Sequence, residues 1–291
     1  MRRVLLVTHP ARTDVPALAE DLVSRLAADG VEVVRATQEH YEGVHDGTDL
    51  RGVELVVVLG GDGTILRGAE FSRAADVPLL GVNLGRVGFL AEVEREEMSE
   101  VVDHIVARNY TVEERMTLEV DAYRDGDVVC RTWALNEASV EKSARERMLE
   151  LTVEVDGRPL STWGADGVVI ATPTGSTAYA FSGGGPIVWP DVEALLVVPI
   201  SAHALFARPL VLGPQTRLAV EVVPHTDVTG VMWCDGRRTV ELPPGARVEV
   251  RRSDTPVRLA RLTTAPFTDR LVAKFELPVQ GWRGRPDGSG A

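Results

Sequence analysis

The segment Val57-Val58-Leu59-Gly60-Gly61-Asp62-Gly63-Thr64-Ile65-Leu66-Arg67 sets a buried apolar run against a glycine turn that carries one carboxylate. Glycines let backbone amides approach a phosphate closely, and a helix starting there adds partial positive charge. The turn therefore suits a pyrophosphate or triphosphate. A carboxylate beside bound phosphates is repelled, so Asp62 implies a task. It would ligate a divalent cation, or take the proton of a hydroxyl attacking phosphorus. An Asp-Gly pair also fits an ordinary tight turn. The segment matches neither the Walker A pattern nor the dinucleotide G-x-G-x-x-G pattern, so it speaks for a phosphate site without naming a reaction.

A second block runs from Asp166-Gly167 through Thr172-Pro173-Thr174-Gly175-Ser176-Thr177-Ala178-Tyr179-Ala180-Phe181-Ser182 to Gly183-Gly184-Gly185-Pro186. Small residues admit a flat ligand, hydroxyls can bond ribose or amide groups, and Tyr179 could stack on a base. The bland alternative is a strand followed by a helix capped by Ser176 or Thr177. Asn136-Glu137 lies near the end of a strand-like run; one of the pair is placed to meet a ligand or edge, although a solvated strand end is the favoured reading. Asn83-Leu84-Gly85 and Gly88-Phe89-Leu90 follow a strand at the same sheet edge as Gly60 and are expected to line the same crevice. His203 stands alone, and no Ser/His/Asp arrangement or zinc spacing is present in the pattern.

The elements that must hold these residues show two textures. Val4–Thr8, Val31–Arg35, Val53–Leu59 and Val77–Val82 read as strands, and Asp14–Asp29, Ile65–Arg73 and Glu96–Ala107 as helices, with Ala36–Asp49 a loop or short helix. That alternation predicts a parallel sheet with right-handed crossovers. From about Tyr110, period-two alternation takes over in Thr117–Tyr123, Val128–Leu135, Leu149–Val155, Arg217–Val223 and Arg247–Arg251, broken by turns such as Asp156-Gly157 and Asp235-Gly236. The fold class expected is α/β plus all-β: an N-terminal α/β domain (1–108) and an antiparallel β-sandwich domain (109–261), the chain returning to the first at about 262–285. Thr268–Phe275 reads as a last helix or strand, and the tail 283–291 as disordered.

Composition narrows the function classes. The 291 residues carry 31 Lys and Arg against 43 Asp and Glu, a formal charge of −12, which disfavours general nucleic-acid binding but not a local anion site. A hydrophobic fraction of 44% supports a folded core. The apolar runs are too short to cross a bilayer, and the start of the chain is too short in its apolar stretch to be a signal peptide. Cys130 and Cys234 are far apart, which makes neither a disulfide framework nor a metal cluster and suits a cytoplasmic protein.

Taken together and in order, Gly60-Gly61-Asp62-Gly63-Thr64, Asn136-Glu137, and Asp166-Gly167 running into Thr172–Tyr179 and Gly183–Pro186 resemble the NAD kinases over nearly the whole chain. The Gly-Gly-Asp-Gly piece is shared with diacylglycerol and sphingosine kinases and 6-phosphofructokinases; the Thr-Pro-Thr-Gly-Ser-Thr-Ala-Tyr block is highly specific. The resemblance implies phosphorylation of the 2′-hydroxyl of the adenosine ribose of NAD, giving NADP. ATP or polyphosphate would be the donor, with Mg²⁺ or a similar divalent ion, in a homodimer or homotetramer. It implies Asp62 as the catalytic carboxylate and Gly60, Gly61, Asp62 and Gly63 at the phosphates and NAD. It also implies Asn136 and Glu137 at the adenosine, Asp166 and Thr177, Ala178, Tyr179, Ala180, Phe181 and Ser182 as further dinucleotide contacts, and Arg67 and Arg147 at the ligand. The residue after the Cys234-Asp235-Gly236 turn, Arg237 here, often contacts ligand in relatives, some of which carry Gln. No protein-held metal site is implied.

Overall fold

A computed structural model describes residues 2–9, 15–36, 48–85, 88–94, 98–144, 147–263 and 266–279. The expectations for Asp14, Glu96, the middle of 36–49 and the tail 283–291 lie outside these residues. The chain opens with β1 (Arg2–Thr8), α1 (Val15–Ala28), β2 (Val31–Arg35), β3 (Val53–Leu59), α2 (Asp62–Ala75), β4 (Leu79–Asn83), β5 (Val93–Glu94), α3 (Met98–Ala107) and β6 (Thr111–Arg115). There follow β7 (Leu118–Arg124), β8 (Asp127–Ala134), β9 (Glu137–Lys142), β10 (Leu149–Val155), β11 (Arg158–Ala165) and β12 (Gly167–Ala171). A 3-10 turn (Thr174–Thr177) and the short α4 (Tyr179–Ser182) lead to β13 (Leu195–Ile200), β14 (Leu210–Leu212), β15 (Leu218–Val222), β16 (Gly230–Cys234), β17 (Arg238–Leu242) and β18 (Arg247–Arg252). The last elements are β19 (Val257–Arg261) and α5 (Phe267–Phe275).

The described residues fall into two compact units, one holding those before Glu114 and those from Leu259 onward, the other Glu114–Arg258. In the first, a sheet runs β2-β1-β3-β4-β19-β6, with β5 beside β4. The pairings of β1 with β2 and β3, and of β4 with β3, β5 and β19, are parallel. One face is covered by α1 and α3. Val15, Ala19, Leu22 and Leu26 recur at helical spacing and pack with Val101, Val102 and Ile105 on Val4, Leu6, Leu55, Val57 and Leu80. Both faces of β3 are buried, which is why its sequence is a nearly continuous apolar run.

α2 sits close against β3 and β4 because two glycines permit it. A Cβ on Gly68 would overlap the Val58 side chain and stand 2.9 Å from Leu79 Cδ1, while a Cβ on Gly81 would stand 2.6 Å from Ile65 Cδ1. The helix begins at Asp62, earlier than the Ile65 expected from its apolar spacing, because its first turn is built of small polar residues whose amides, not side chains, define the start. It ends at Asp76, which takes the left-handed conformation (φ 55) more usual for glycine.

The second unit is a sandwich of two six-stranded sheets, β11-β10-β15-β18-β7-β8 and β14-β13-β12-β9-β16-β17. One hydrophobic core draws on both, with Trp163, Leu118, Val140, Leu151, Ile170, Val197 and Val248 fully or nearly fully buried. The other face of β12 and β13 is covered too: Val169, Ala171, Leu196 and Val198 pack with Ala180 and Val188 from the segment that follows β12. Burial on both faces removes the alternation that marks the neighbouring strands.

Candidate functional site

In the first unit, β3 ends at Leu59 and the Gly60 amide donates to the Val82 carbonyl at 3.0 Å. Any side chain at Gly60 would meet Thr64 Oγ1, 2.5 Å from an added Cβ. Gly61 caps α2 without a side-chain hydrogen bond, so the turn leaves first-turn amides available to an anion. Asp62 is the first residue of α2, where the helix dipole favours negative charge. Its two carboxylate oxygens are held separately: Oδ2 accepts from the Phe89 amide at 3.0 Å and Oδ1 from the Leu90 amide at 3.1 Å. Gly88 must be glycine, since a Cβ there would overlap Asp62 Oδ1. The expected convergence of Gly88–Leu90 on the glycine turn is thus present as direct hydrogen bonds to Asp62.

The segment after Gly88 is anchored in turn. Phe89 packs against Phe267 and Phe275, each with its ring centroid 5.9 Å away. The Glu92 carboxylate is 1% exposed and paired with Arg261 at 2.9 Å and Arg270 at 2.5 Å. Burial alone would raise this carboxyl; Arg261, the Thr263 amide and Arg270 outweigh it and hold it below the usual range. Arg67, expected at the ligand, is 2% exposed within α2.

The second unit interlocks three stretches distant in sequence. Asp235, in a left-handed conformation (φ 54), turns its carboxylate onto the amides of Leu135 (2.9 Å), Asn136 (2.7 Å) and Glu137 (3.3 Å). Arg238 pairs with Asp235 at 2.8 Å and lies 4.5 Å over the Trp133 ring. Thr172 Oγ1 donates to the Leu135 carbonyl at 2.6 Å and accepts from the Gly175 amide at 3.1 Å. Gly175 lies so near the Asn136 carbonyl that a Cβ would overlap it. Asn136 and Glu137 are 7% and 8% exposed, which overturns the solvated-strand-end alternative: the Asp235 turn and the Thr172–Gly175 segment cover them.

The capping alternative for Ser176 or Thr177 is also overturned. Neither the 3-10 turn nor α4 has a side-chain cap; Ser176 Oγ instead donates to Pro173 O at 2.6 Å and accepts from the Val188 amide at 3.0 Å, stapling the returning chain. Thr177, Ala178 and Tyr179 are half-buried, Phe181 and Ser182 are exposed, and Ala180 is buried with its carbonyl accepting from the Gly185 amide at 2.8 Å. The Tyr179 hydroxyl donates to Glu141 Oε2 at 3.2 Å, and burial with the Glu141 charge pushes it up to about 12. Asp166 is paired with Lys142, which holds its carboxyl below the usual range. Arg147 is exposed and paired with Asp227.

Burial, reinforced by the Asp235 and Glu141 charges, pushes the Glu137 carboxyl up to about 8, against a hydrogen bond from the Tyr179 backbone. Burial raises Asp235 as well, against Arg238 and the amides of Leu135, Asn136 and Glu137. Glu137 Oε2 is buried with no hydrogen-bond partner among the described residues. Sequence reasoning missed Asp235, Glu92 and Glu141 as organisers of these sites. Asp235 was visible only as half of an Asp-Gly turn, and Glu92 heads an acidic run that reads as solvated surface.

Among the described residues, no group of three or more His, Cys, Asp or Glu side chains converges as a metal cage, so they hold no ready-made all-protein site for a resident divalent cation. Among the same residues no helix is long and apolar enough to cross a membrane.

Comparison with known proteins follows the same two-part layout. The family model of the ATP-NAD kinase N-terminal domain matches residues 41–110, and that of the ATP-NAD kinase C-terminal domain residues 135–262. The chain is 61% identical to NAD kinase 2 of Streptomyces coelicolor, covering 98% of each, and 60% identical to the NAD kinase of Thermobifida fusca, covering 98% of this chain and 92% of that one. Among solved structures, an NAD kinase from Archaeoglobus fulgidus in complex with ATP aligns with a TM-score of 0.74 at 26% identity, over 94% of this chain and 98% of that one. Yeast NADH kinase complexed with NADH shares the fold, with a TM-score of 0.84 at 24% identity over 96% and 89% of the two chains.

Proposed function

The chain belongs to the NAD kinase family and makes NADP by phosphorylating NAD with ATP, and on that footing we propose that Asp62 is the general base of the transfer. The 2′-hydroxyl of the adenosine ribose attacks the γ-phosphorus of ATP, its oxygen forms the new P–O bond, its proton passes to the Asp62 carboxylate, and ADP leaves. The observation that carries this reading is the fixing of both Asp62 oxygens by the Phe89 and Leu90 amides at the head of α2. One amide per oxygen leaves each with lone-pair capacity for a hydroxyl and sets the carboxylate in one orientation, so little is lost to reorganisation when the hydroxyl arrives. A carboxylate near the 2′ position also repels the phosphorylated product, which favours release.

Gly60, Gly61 and Gly63 offer backbone to the donor phosphates without side-chain obstruction, and a divalent ion such as Mg²⁺ enters with ATP as part of the donor. Asn136, Glu137, Asp166 and the Thr177–Ser182 segment supply the dinucleotide contacts. Protonated Glu137 is suited to donate a hydrogen bond to an acceptor on the nucleotide. Arg67 and Arg147 are assigned lesser parts, since the first is buried and the second is engaged with Asp227. Polyphosphate is a second candidate donor. A homodimer or homotetramer in the cytoplasm is the setting we assign; the free thiols Cys130 and Cys234 are consistent with a reducing compartment. The acidity of the chain argues against a nucleic-acid partner.

A coupled NADP-formation assay with each donor tests the reading. Asp62→Asn is expected to lower kcat by roughly 10²–10⁴-fold, the scale of a positioned base. Turnover near that of the parent would remove Asp62 from the chemistry.

A further inference from the structure

We propose that Glu92 is a positioning residue for phosphoryl transfer: it locks the Phe89–Ala91 segment whose amides hold the Asp62 carboxylate. The inference rests on the reading of Asp62 as the base. Among the described residues Glu92 bonds neither Asp62 nor the glycine turn, yet it gathers five donor groups. Arg261 and Arg270 pair with Oε2 at 2.9 and 2.5 Å; Oε1 accepts from the Leu262 amide at 3.1 Å, the Thr263 amide at 2.9 Å and the Thr263 hydroxyl at 2.9 Å. Its own amide is fixed to the Gly81 carbonyl at 2.8 Å.

What separates this cluster from an ordinary buried ion pair is where Arg270 sends its other nitrogen. Nη1 donates to the Ala91 carbonyl and, at 3.5 Å, to the Phe89 carbonyl, which shares its peptide unit with the Leu90 N–H that bonds Asp62. The same helix that carries Arg270 supplies Phe267 and Phe275, both packed against the Phe89 ring. Leu271 is the one buried residue of α5, and Arg270, Phe267 and Phe275 join the helix to the 89–92 segment. A planar guanidinium links two acceptors in fixed geometry, and here it links the Glu92 carboxylate to the backbone that orients the base. Loosening that link frees the segment, and displacement of a catalytic group by about 1 Å can cost on the order of 10²-fold in rate.

Steady-state kinetics on the full chain test the idea. Glu92→Gln leaves two guanidiniums near a neutral amide and is paired with Arg270→Gln, which keeps the Glu92–Arg261 pair and the fold. Arg270→Gln is expected to lower kcat by about 10–100-fold while KM for NAD and for ATP stay within about twofold. In an Asp62→Asn background the same change should lower kcat by no more than about twofold, because there is no base left to aim. The inference is overturned if Arg270→Gln turns over like the parent, if its loss lies wholly in KM, or if the full loss multiplies onto Asp62→Asn. Parental turnover in Asp62→Asn itself would overturn the base assignment along with it. A crippled Asp62→Asn beside an unimpaired Arg270→Gln would overturn the positioning role alone.

Discussion

Glu137 keeps a proton into neutral solution because its carboxyl is walled in by the Asp235 turn and the Thr172–Gly175 segment. The folded chain holds that proton up to about pH 8, whereas the unfolded chain releases it near 4.5, the ordinary value for a glutamate. Its contribution to stability is therefore complete below the unfolded value and is lost as pH rises through the folded one. Glu137→Gln, permanently neutral, should escape that loss. Thermal melts from about pH 5 to about pH 9 are expected to show the variant gaining on the parent as pH rises. A difference in Tm that stays constant across the range would mean that Glu137 is ionised in the fold. The same variant should raise KM for NAD if its hydroxyl proton serves the nucleotide, since an amide offers different donor and acceptor geometry.

At the scale of the element, the glycine turn that carries Asp62 depends on how closely α2 lies against its sheet. Gly68 faces Val58 and Leu79 with no room for a methyl group, so Gly68→Ala must push the helix outward or bend β3. We expect a loss of about 1–3 kcal/mol in denaturant unfolding, with kcat falling further than KM because Asp62 rides on the same helix. A variant with native midpoint and native turnover would show that the seat of α2 has slack. Strands buried on both faces or alternating cleanly were legible: Val31–Arg35, Val53–Leu59 and Leu149–Val155 coincide with β2, β3 and β10. What local pattern could not convey was cover arriving from afar. Asn136 and Glu137 resemble a solvated strand end until Asp235, roughly a hundred residues later, folds over them. Likewise α2 starts ahead of its apolar periodicity because backbone geometry at Gly61 sets the start. The Gly-Gly-Asp-Gly turn and the Thr172–Tyr179 block were legible because glycines and hydroxyls at such density have few uses other than binding.

At the scale of the whole molecule, the first unit is assembled from two ends of the chain. β19 lies between β4 and β6 in the sheet order, and Leu259 pairs with Leu79. β19 is thus an interior strand, with sheet neighbours far earlier in sequence. Native-state hydrogen exchange should show amides of β1, β3, β4 and β19 opening as one cooperative group. If β19 exchanges in step with β15 and β18 instead, the boundary at Leu259 is misplaced.

That arrangement carries a consequence for biosynthesis. As the ribosome extrudes the nascent polypeptide, β1 to β4 emerge first yet wait for the final residues to fill the gap beside β4, while the intervening sandwich already has every strand it needs. Translation stopped short of the closing helix would yield a product without Arg270 and without the aromatic pair around Phe89. An unfinished copy would thus come off the ribosome without the groups that anchor the backbone holding Asp62.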